Sequence, residues 1–233
     1  MPILSSYTLF HFTSTLDRLM SILEGGLRYS WVAEKLPTPG LAYLVRSACF
    51  CNIPLSMIGE HVEWYGKYAI GLKRRALRDR GASPVFYMHS DTALIYKGKD
   101  AMGKYATENF LPYFKTYYGA QKPSGSDKYK MKKFYDEKEW RLFVKPYEVV
   151  RYANLAQLEE IRQAKADAEY SRSMARNEEP PKLKITADMI EYIILEDPVD
   201  LDPFKLFLKR AFADQYEDMV SKVLFYKQIR RDF

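Results

Sequence analysis

Leu9 to Leu27, "LFHFTSTLDRLMSILEGGL", changes its repeat halfway along. From Tyr7 to Thr13 the side chains alternate, the two-residue repeat of a strand. From Leu16 onward the apolar residues Leu16, Leu19, Met20 and Leu23 recur at three and four, the repeat of an amphipathic helix. Thr13 or Ser14 stands where a helix N-cap belongs, and Gly25-Gly26 supplies the stop. The unit is strand, cap, helix, stop. Its strand places His11 between two phenylalanines, and a core strand has no packing need for an imidazole.

Downstream, strands and helices mix without regular alternation. A Pro/Gly-punctuated loop around "LPTPG" precedes the short strand "SACFCNI", and Pro54 then opens a short helix in "PLSMIGEHVEWYG" that ends at Gly66. "KYAIGLK" reads as a strand running into the basic helical "RRALRDRG", and "SPVFYM" as the next strand. Residues 93–119 space their aromatics at three and four, predicting mostly helix, and "AQKPSGSDKYKMKK" is the clearest loop. "FYDEKEWRLFVKP" and "ITADMIEYIILED" read as strands. Residues 154–179 form a charged helical excursion, and a C-terminal amphipathic helix begins at about 203. This irregular order predicts an α+β fold, with residues 1–233 forming a single domain. No Gly-x-Gly-x-x-Gly follows a strand and no P-loop lysine motif is present, so Rossmann and P-loop nucleotide folds have no support.

The chain has 233 residues, 47% hydrophobic and 15% aromatic, enough apolar surface for a folded core. No apolar run approaches the roughly 18 residues that span a bilayer, and the N-terminus lacks a signal peptide's basic region, so a cytoplasmic protein with no membrane contact is expected. Cys49 and Cys51 are one residue apart and are not expected to pair; with only three histidines they make a poor zinc set, and no metal is expected. A net charge of +6 and a pI near 9.0 fit an acidic partner such as nucleic acid, although many ordinary proteins are as basic.

Three places could carry chemistry. His11 shares its strand face with Thr13, presenting an imidazole beside a hydroxyl that could bond ribose hydroxyls or a carboxamide; a lone strand histidine is more often a hydrogen-bonded core or surface residue. In "EKEWR", a strand would put Glu137, Glu139 and Arg141 on one face, either a solvated edge with ion pairs or a carboxylate pair tuned by arginine. In "CFCNIPLSMIGEHVEWYG", Ser56 at the helix start and Trp64 and Tyr65 at its end could flank one pocket or simply pack. Basic residues also interleave with aromatics. Lys73, Arg74, Arg75, Arg78 and Arg80 form one cluster; Lys128, Lys130, Lys132 and Lys133, around Tyr129, form another on the loop before the glutamates.

"HFTSTLDRLMSILEGGL", "CFCNIPLSMIGEHVEWYGKYAIGLK", "SPVFYM" and "EKEWR", in this order, resemble the AbiGi-type abortive phage infection family over roughly residues 8–145. That family carries an antitoxin label. More distantly, the order resembles the ADP-ribosyltransferase superfamily with its His-Tyr-Glu arrangement and split β-sheet core. The resemblance implies NAD as substrate, held by His11 with Thr13 beside it, with Ser56 as the hydroxyl and Tyr65 as the stacking aromatic. Phe50 stands where a tyrosine is expected, which passes the aromatic role to Tyr65 or Tyr68. Glu139 matches the catalytic glutamate, and Glu137 is its alternative. Lys128, Lys130, Lys132, Lys133 and Arg141 would then meet the acceptor, RNA in preference to DNA or protein. The implied function is a phage-defence toxin that transfers ADP-ribose, kept in check by a cognate antitoxin or chaperone protein. The alternative is a non-catalytic antitoxin or interaction module with a degenerate version of that fold.

Overall fold

The computed structural model describes residues 6–35, 42–89, 110–144, 149–152, 160, 163–165 and 180–232. The opening unit forms as its two repeats predict: β1 (Thr8–Thr13) is almost wholly buried, and α1 (Leu16–Gly25) buries Leu19 and Leu23. The cap falls on Thr15, whose Oγ1 accepts from the Arg18 backbone N–H at 3.3 Å, because β1 runs through Thr13 and Ser14 makes the turn. Gly26 ends the helix at φ 87°, a conformation that other residues rarely adopt.

Next come β2 (Leu27–Arg28), β3 (Ser30–Lys35) and β4 (Ala42–Cys51). β4 is longer than "SACFCNI" suggests, and β3 had no counterpart in the sequence reading. α2 (Ile58–Tyr65), β5 (Tyr68–Lys73), α3 (Arg74–Arg78), β6 (Ser83–Pro84) and β7 (Phe86–Met88) follow. Of the helix expected over 93–119, residues up to 109 lie outside the described residues. The rest is a short 3-10 turn at Leu111–Tyr113, then β8 (Phe114–Thr116) and β9 (Tyr118–Gln121). Pro112 cannot donate a helical hydrogen bond and the aromatics around it favour extended backbone. The expected loop is a hairpin in which β9 pairs with β10 (Lys130–Lys133).

β11 (Glu139–Phe143), β12 (Val149–Tyr152), β13 (Lys182–Leu183) and β14 (Ile190–Leu195) complete the middle of the chain. The charged excursion at 154–179 lies almost entirely outside the described residues. The C-terminal helix is α4 (Leu201–Ala211), followed by α5 (Tyr216–Ser221), β15 (Val223–Phe225) and α6 (Tyr226–Asp232).

The fold is α+β, built on one mixed sheet ordered β15-β14-β5-β1-β4-β11-β6, with β3 and β12 also paired to β4. Its pairs are antiparallel except β14–β15. Alternation along β1 divides the core. Leu9 joins Leu19, Leu23, Phe204 and Leu208 beneath α1 and α4, whereas Phe10 and Phe12 join Ile58, Val62, Tyr226 and Ile229 beneath α2 and α6. Each fully buried Leu or Phe contributes on the order of 1.5–3 kcal/mol. No helix among the described residues is long and apolar enough to cross a membrane.

Candidate functional site

β4 has more partners than one strand edge can hold side by side, and the excess opens a cleft. One edge is shared end to end by β12 at Ala42–Val45 and β11 at Ser47–Cys51. The other is shared by β3, which reaches Ser47 through Ser30, and β1, which meets Cys51 through Phe10. Between Ser47 and Cys51, β1 and β3 diverge, and among the described residues no strand pairs with that edge. The split forms a cleft of about 460 Å³, lined from β1, β3, β4, α2, the β9–β10 hairpin and the Glu137–Glu139 segment. That volume is within the roughly 300–1,000 Å³ of small-molecule sites.

His11 closes the exposed edge. Its Nδ1 is 2.9 Å from the Cys49 carbonyl, which can only accept, so Nδ1 carries the proton and Nε2 is left as an acceptor. Burial lowers the His11 pKa against the raising effect of that hydrogen bond, so the ring is neutral. His61 packs between Phe12 and Tyr65, at 4.9 and 4.6 Å between ring centroids, and burial pushes its pKa down to about 3. The cleft therefore offers two neutral imidazoles. Burial and nearby Glu139 push the Cys49 thiol up to about 12, which keeps it unreactive.

The glutamates meet by an unexpected route. They do not share a strand face: Glu137 ends a 3-10 turn, Glu139 begins β11, and Lys138 between them takes the left-handed conformation at φ 45°. That turn brings both carboxylates to Lys115 of β8, whose Nζ is 2.7 Å from Glu137 Oε2 and 2.5 Å from Glu139 Oε2. The other oxygens are also engaged. Glu139 Oε1 accepts from Arg141 Nε at 2.6 Å; Glu137 Oε1 pairs with Lys132 Nζ at 2.5 Å and accepts from the Tyr65 hydroxyl. Arg141, fully buried, donates from Nη1 to the Tyr43 hydroxyl at 2.8 Å and to the Pro112 carbonyl at 2.9 Å, and its Nη2 pairs with Glu34. Three carboxylates thus face three cations in a buried, charge-balanced network.

The ionisation directions follow from this arrangement. Burial works to raise the Glu139 carboxyl, but Arg141 and Lys115 outweigh it and hold the group well below the usual carboxylate range. Glu137 is likewise held low against burial by Lys115 and Lys132. Glu34 goes the other way, because burial there exceeds the attraction of Arg141. Burial lowers Lys132, whose ammonium faces the rings of Trp64 at 4.5 Å and Tyr65 at 4.2 Å.

Of the residues singled out in the sequence, His11, Phe50, Tyr65, Glu137 and Glu139 line the cleft together. The others do not. Thr13 is buried without lining it, because β1 ends there against Tyr68 of β5. Ser56 is exposed on a 3-10 turn at the far end of the segment from Tyr65. Tyr68 turns away and donates to Asp200 at 3.2 Å. Lys132 and Arg141 are internal partners of the glutamates, whereas Lys133 pairs with Asp136 at 3.2 Å on the surface and Lys128 and Lys130 are solvated. In the arginine cluster, Arg75 and Arg78 pair with Asp79 and Arg74 covers Tyr7. Lys115, His61, Glu34 and Trp31 line the cleft unannounced. Only His61 carried a signal, lying one helical turn before Tyr65.

Comparison with known proteins gives this arrangement a family. A relative from Lactococcus lactis subsp. cremoris, named "Abortive phage resistance protein AbiGi", is 22% identical over 233 residues, spanning 86% of this chain and 93% of its own. No solved structure matches. Residues 45–196, well over half the chain, match the family model described as "Putative abortive phage resistance protein AbiGi, antitoxin", and they take in most of β4, Tyr65, Lys115 and both cleft glutamates. The chain belongs to the AbiGi abortive phage resistance family.

Proposed function

We propose that this protein is the antitoxin side of a phage-defence system, a scaffold that binds a partner and whose cleft holds a small ligand without transforming it. The observation that carries this reading is the position of Lys115 between Glu137 and Glu139. A carboxylate that stabilises a cation-like ribosyl group must present uncompensated negative charge where that cation develops. Here Lys115, Lys132 and Arg141 match the charge of Glu137, Glu139 and Glu34, and every oxygen of Glu137 and Glu139 already has a partner. The antitoxin wording of the matched family model agrees with this.

A second reading, an active ADP-ribosyltransferase toxin, is favoured by one specific observation. His11, Tyr65 and the two glutamates, distant in sequence, converge on a single cleft at the split in the sheet. In that reading NAD is the substrate, His11 Nε2 accepts from a ribose hydroxyl, and Tyr65 stacks on nicotinamide. Incubating the purified protein with labelled NAD and total RNA, DNA or lysate separates the two. The antitoxin reading expects neither label transfer nor loss of NAD, and no growth arrest when the chain is expressed alone. Transfer that disappears in Glu139→Gln would overturn it in favour of the transferase.

A further inference from the structure

Beside the cleft, β7, the link from β8 to β9, β9 itself and the 3-10 turn after β10 carry an aromatic surface that neither reading uses. Tyr117 and Tyr135 stack at 5.2 Å between centroids and 23° between planes. Tyr118 meets Tyr117 at 4.8 Å, and Tyr87 meets Tyr135 at 5.5 Å. Core aromatics would be covered, but Tyr118 and Tyr135 are 49% and 47% exposed. Lys133 Nζ lies 5.7 Å from the centroids of both Tyr117 and Tyr135.

The charge around these rings is one-sided. Alternation along β10 puts Lys130 and Lys132 on the cleft side, with Lys132 inward at Glu137 and Lys130 exposed at the strand's start, and leaves Met131 and Lys133 on the other face, with Lys133 directly opposite Tyr118. The hairpin adds exposed Lys122, Lys128 and Lys130, against which stand only Asp127 and Asp136 between residues 117 and 136. The half-exposed rings of Tyr118 and Tyr135, beside a surplus of lysines of which Lys133 is paired, with Asp136, suit a polyanion whose planar groups are free to stack. Bases in a duplex present edges, not faces; bases in a single strand present faces.

We propose that the exposed rings of Tyr118 and Tyr135, buttressed by Tyr117 and Tyr87, with Lys133 beside them and Lys128 and Lys130 on the same hairpin, bind single-stranded nucleic acid. Bases stack on Tyr118 and Tyr135, and phosphates run along the lysines. The strand passes close to the cleft, because the Tyr87 hydroxyl accepts from the Glu139 backbone N–H at 2.7 Å. This surface stands apart from the antitoxin reading: a protein that neutralises a toxin without touching nucleic acid would leave that reading intact and remove this one.

The test is fluorescence anisotropy of the full chain with labelled RNA and DNA oligomers of about 12 nucleotides, within the span of one single-strand site, and with the matching DNA duplex. At least one single strand should bind more tightly than the duplex, and the RNA and DNA arms report which sugar is preferred. Tyr118→Ala and Tyr135→Ala should each weaken binding about 5- to 150-fold, the equivalent of ~1–3 kcal/mol per stacked base, while Tyr135→Trp keeps it. Changing Lys128, Lys130 and Lys133 together to Gln should reduce the slope of log affinity against log salt by about 2, at ~0.7 per phosphate contact. Unchanged melting temperatures would show that these exposed substitutions leave the fold intact. Failure to bind either single strand, equal binding of the duplex, or full affinity or an unchanged salt slope in the folded variants would each overturn the proposal.

Discussion

Lys115→Met is the sharpest probe of the cleft. The substitution keeps much of the side chain's length and removes its charge, leaving Glu137 and Glu139 without the ammonium they share at 2.7 and 2.5 Å. The side chains of Lys115, Glu137 and Glu139 are 9%, 4% and 7% exposed, so water from the cleft replaces the lost ammonium only in part. Removing one member of a buried ion pair costs about 3–5 kcal/mol. At ~2–4 °C per kcal/mol for a chain of this length, the melting temperature should fall by roughly 6–20 °C.

The loss has a sign that depends on pH. In the wild type, Glu137 is held below its unfolded value against the opposing effect of burial, so its contribution is present above the unfolded carboxylate pKa and lost as pH falls through the lower folded value. Without Lys115, Lys132 is the main partner left to oppose burial, and the folded pKa of Glu137 rises. The variant is then penalised most at neutral pH and relieved as the carboxyl takes up a proton. Urea unfolding of both proteins near neutrality and at about pH 5 should show the stability gap narrowing on the acid side. In the double variant Lys115→Met/Glu137→Gln, the combined cost should be at least ~1 kcal/mol less than the sum of the single costs, because the lost partners are the same pair. A gap independent of pH together with strictly additive costs would refute the buried network.

Gly66→Ala should destabilise the protein by more than the ~1–3 kcal/mol of a strained backbone, since Gly66 has φ 107° and a Cβ there would lie 2.3 Å from the Thr13 carbonyl oxygen; chemical denaturation measures it. Thr15→Ala, which removes the α1 cap, should cost ~0.5–2 kcal/mol by the same measurement, whereas Ser14→Ala should cost less. His61 should remain neutral in NMR titration until about pH 3, and because its folded pKa lies below the unfolded 6.5, stability should decline as pH falls from 6.5 towards that value. A His61 resonance titrating near 6.5 would contradict its burial between Phe12 and Tyr65.

Much of this architecture was open to reading because local pattern and final structure agree. The change of repeat between Thr13 and Leu16 specifies β1 and α1, and Gly66 marks the end of α2, since backbone geometry there is dictated by neighbours in sequence. The distant resemblance implied that His11 and Glu139 share a pocket, and both line the cleft. What stayed hidden depended on distant partners. Lys115 belongs to a stretch whose aromatics mimic a helical repeat, and nothing in that stretch tells that β8 delivers an ammonium to residues 22 and 24 positions later. The "EKEWR" segment suggested a shared strand face; the left-handed Lys138 instead joins two elements, a conformation that a lysine adopts only when its surroundings impose it. The lysine cluster looked uniform in sequence, yet strand alternation turns Lys132 to an internal partner and Lys133 to the surface, and position at the strand's start leaves Lys130 in solvent.

The opened edge of β4 has a consequence for its backbone amides. Because the Cys49 carbonyl turns toward His11, the Cys49 N–H turns the same way, into the cleft, while Ala48 and Phe50 turn toward β11. Three successive amides in the longest strand should therefore exchange with deuterium by different events. Those of Ala48 and Phe50 wait for the sheet to come apart, whereas that of Cys49 exchanges whenever the cleft admits water, at a small fraction of the unfolding free energy. A ligand lodged between β1 and β3 would slow Cys49 alone, so this one amide would serve as a built-in gauge of cleft occupancy that needs no knowledge of what the ligand is.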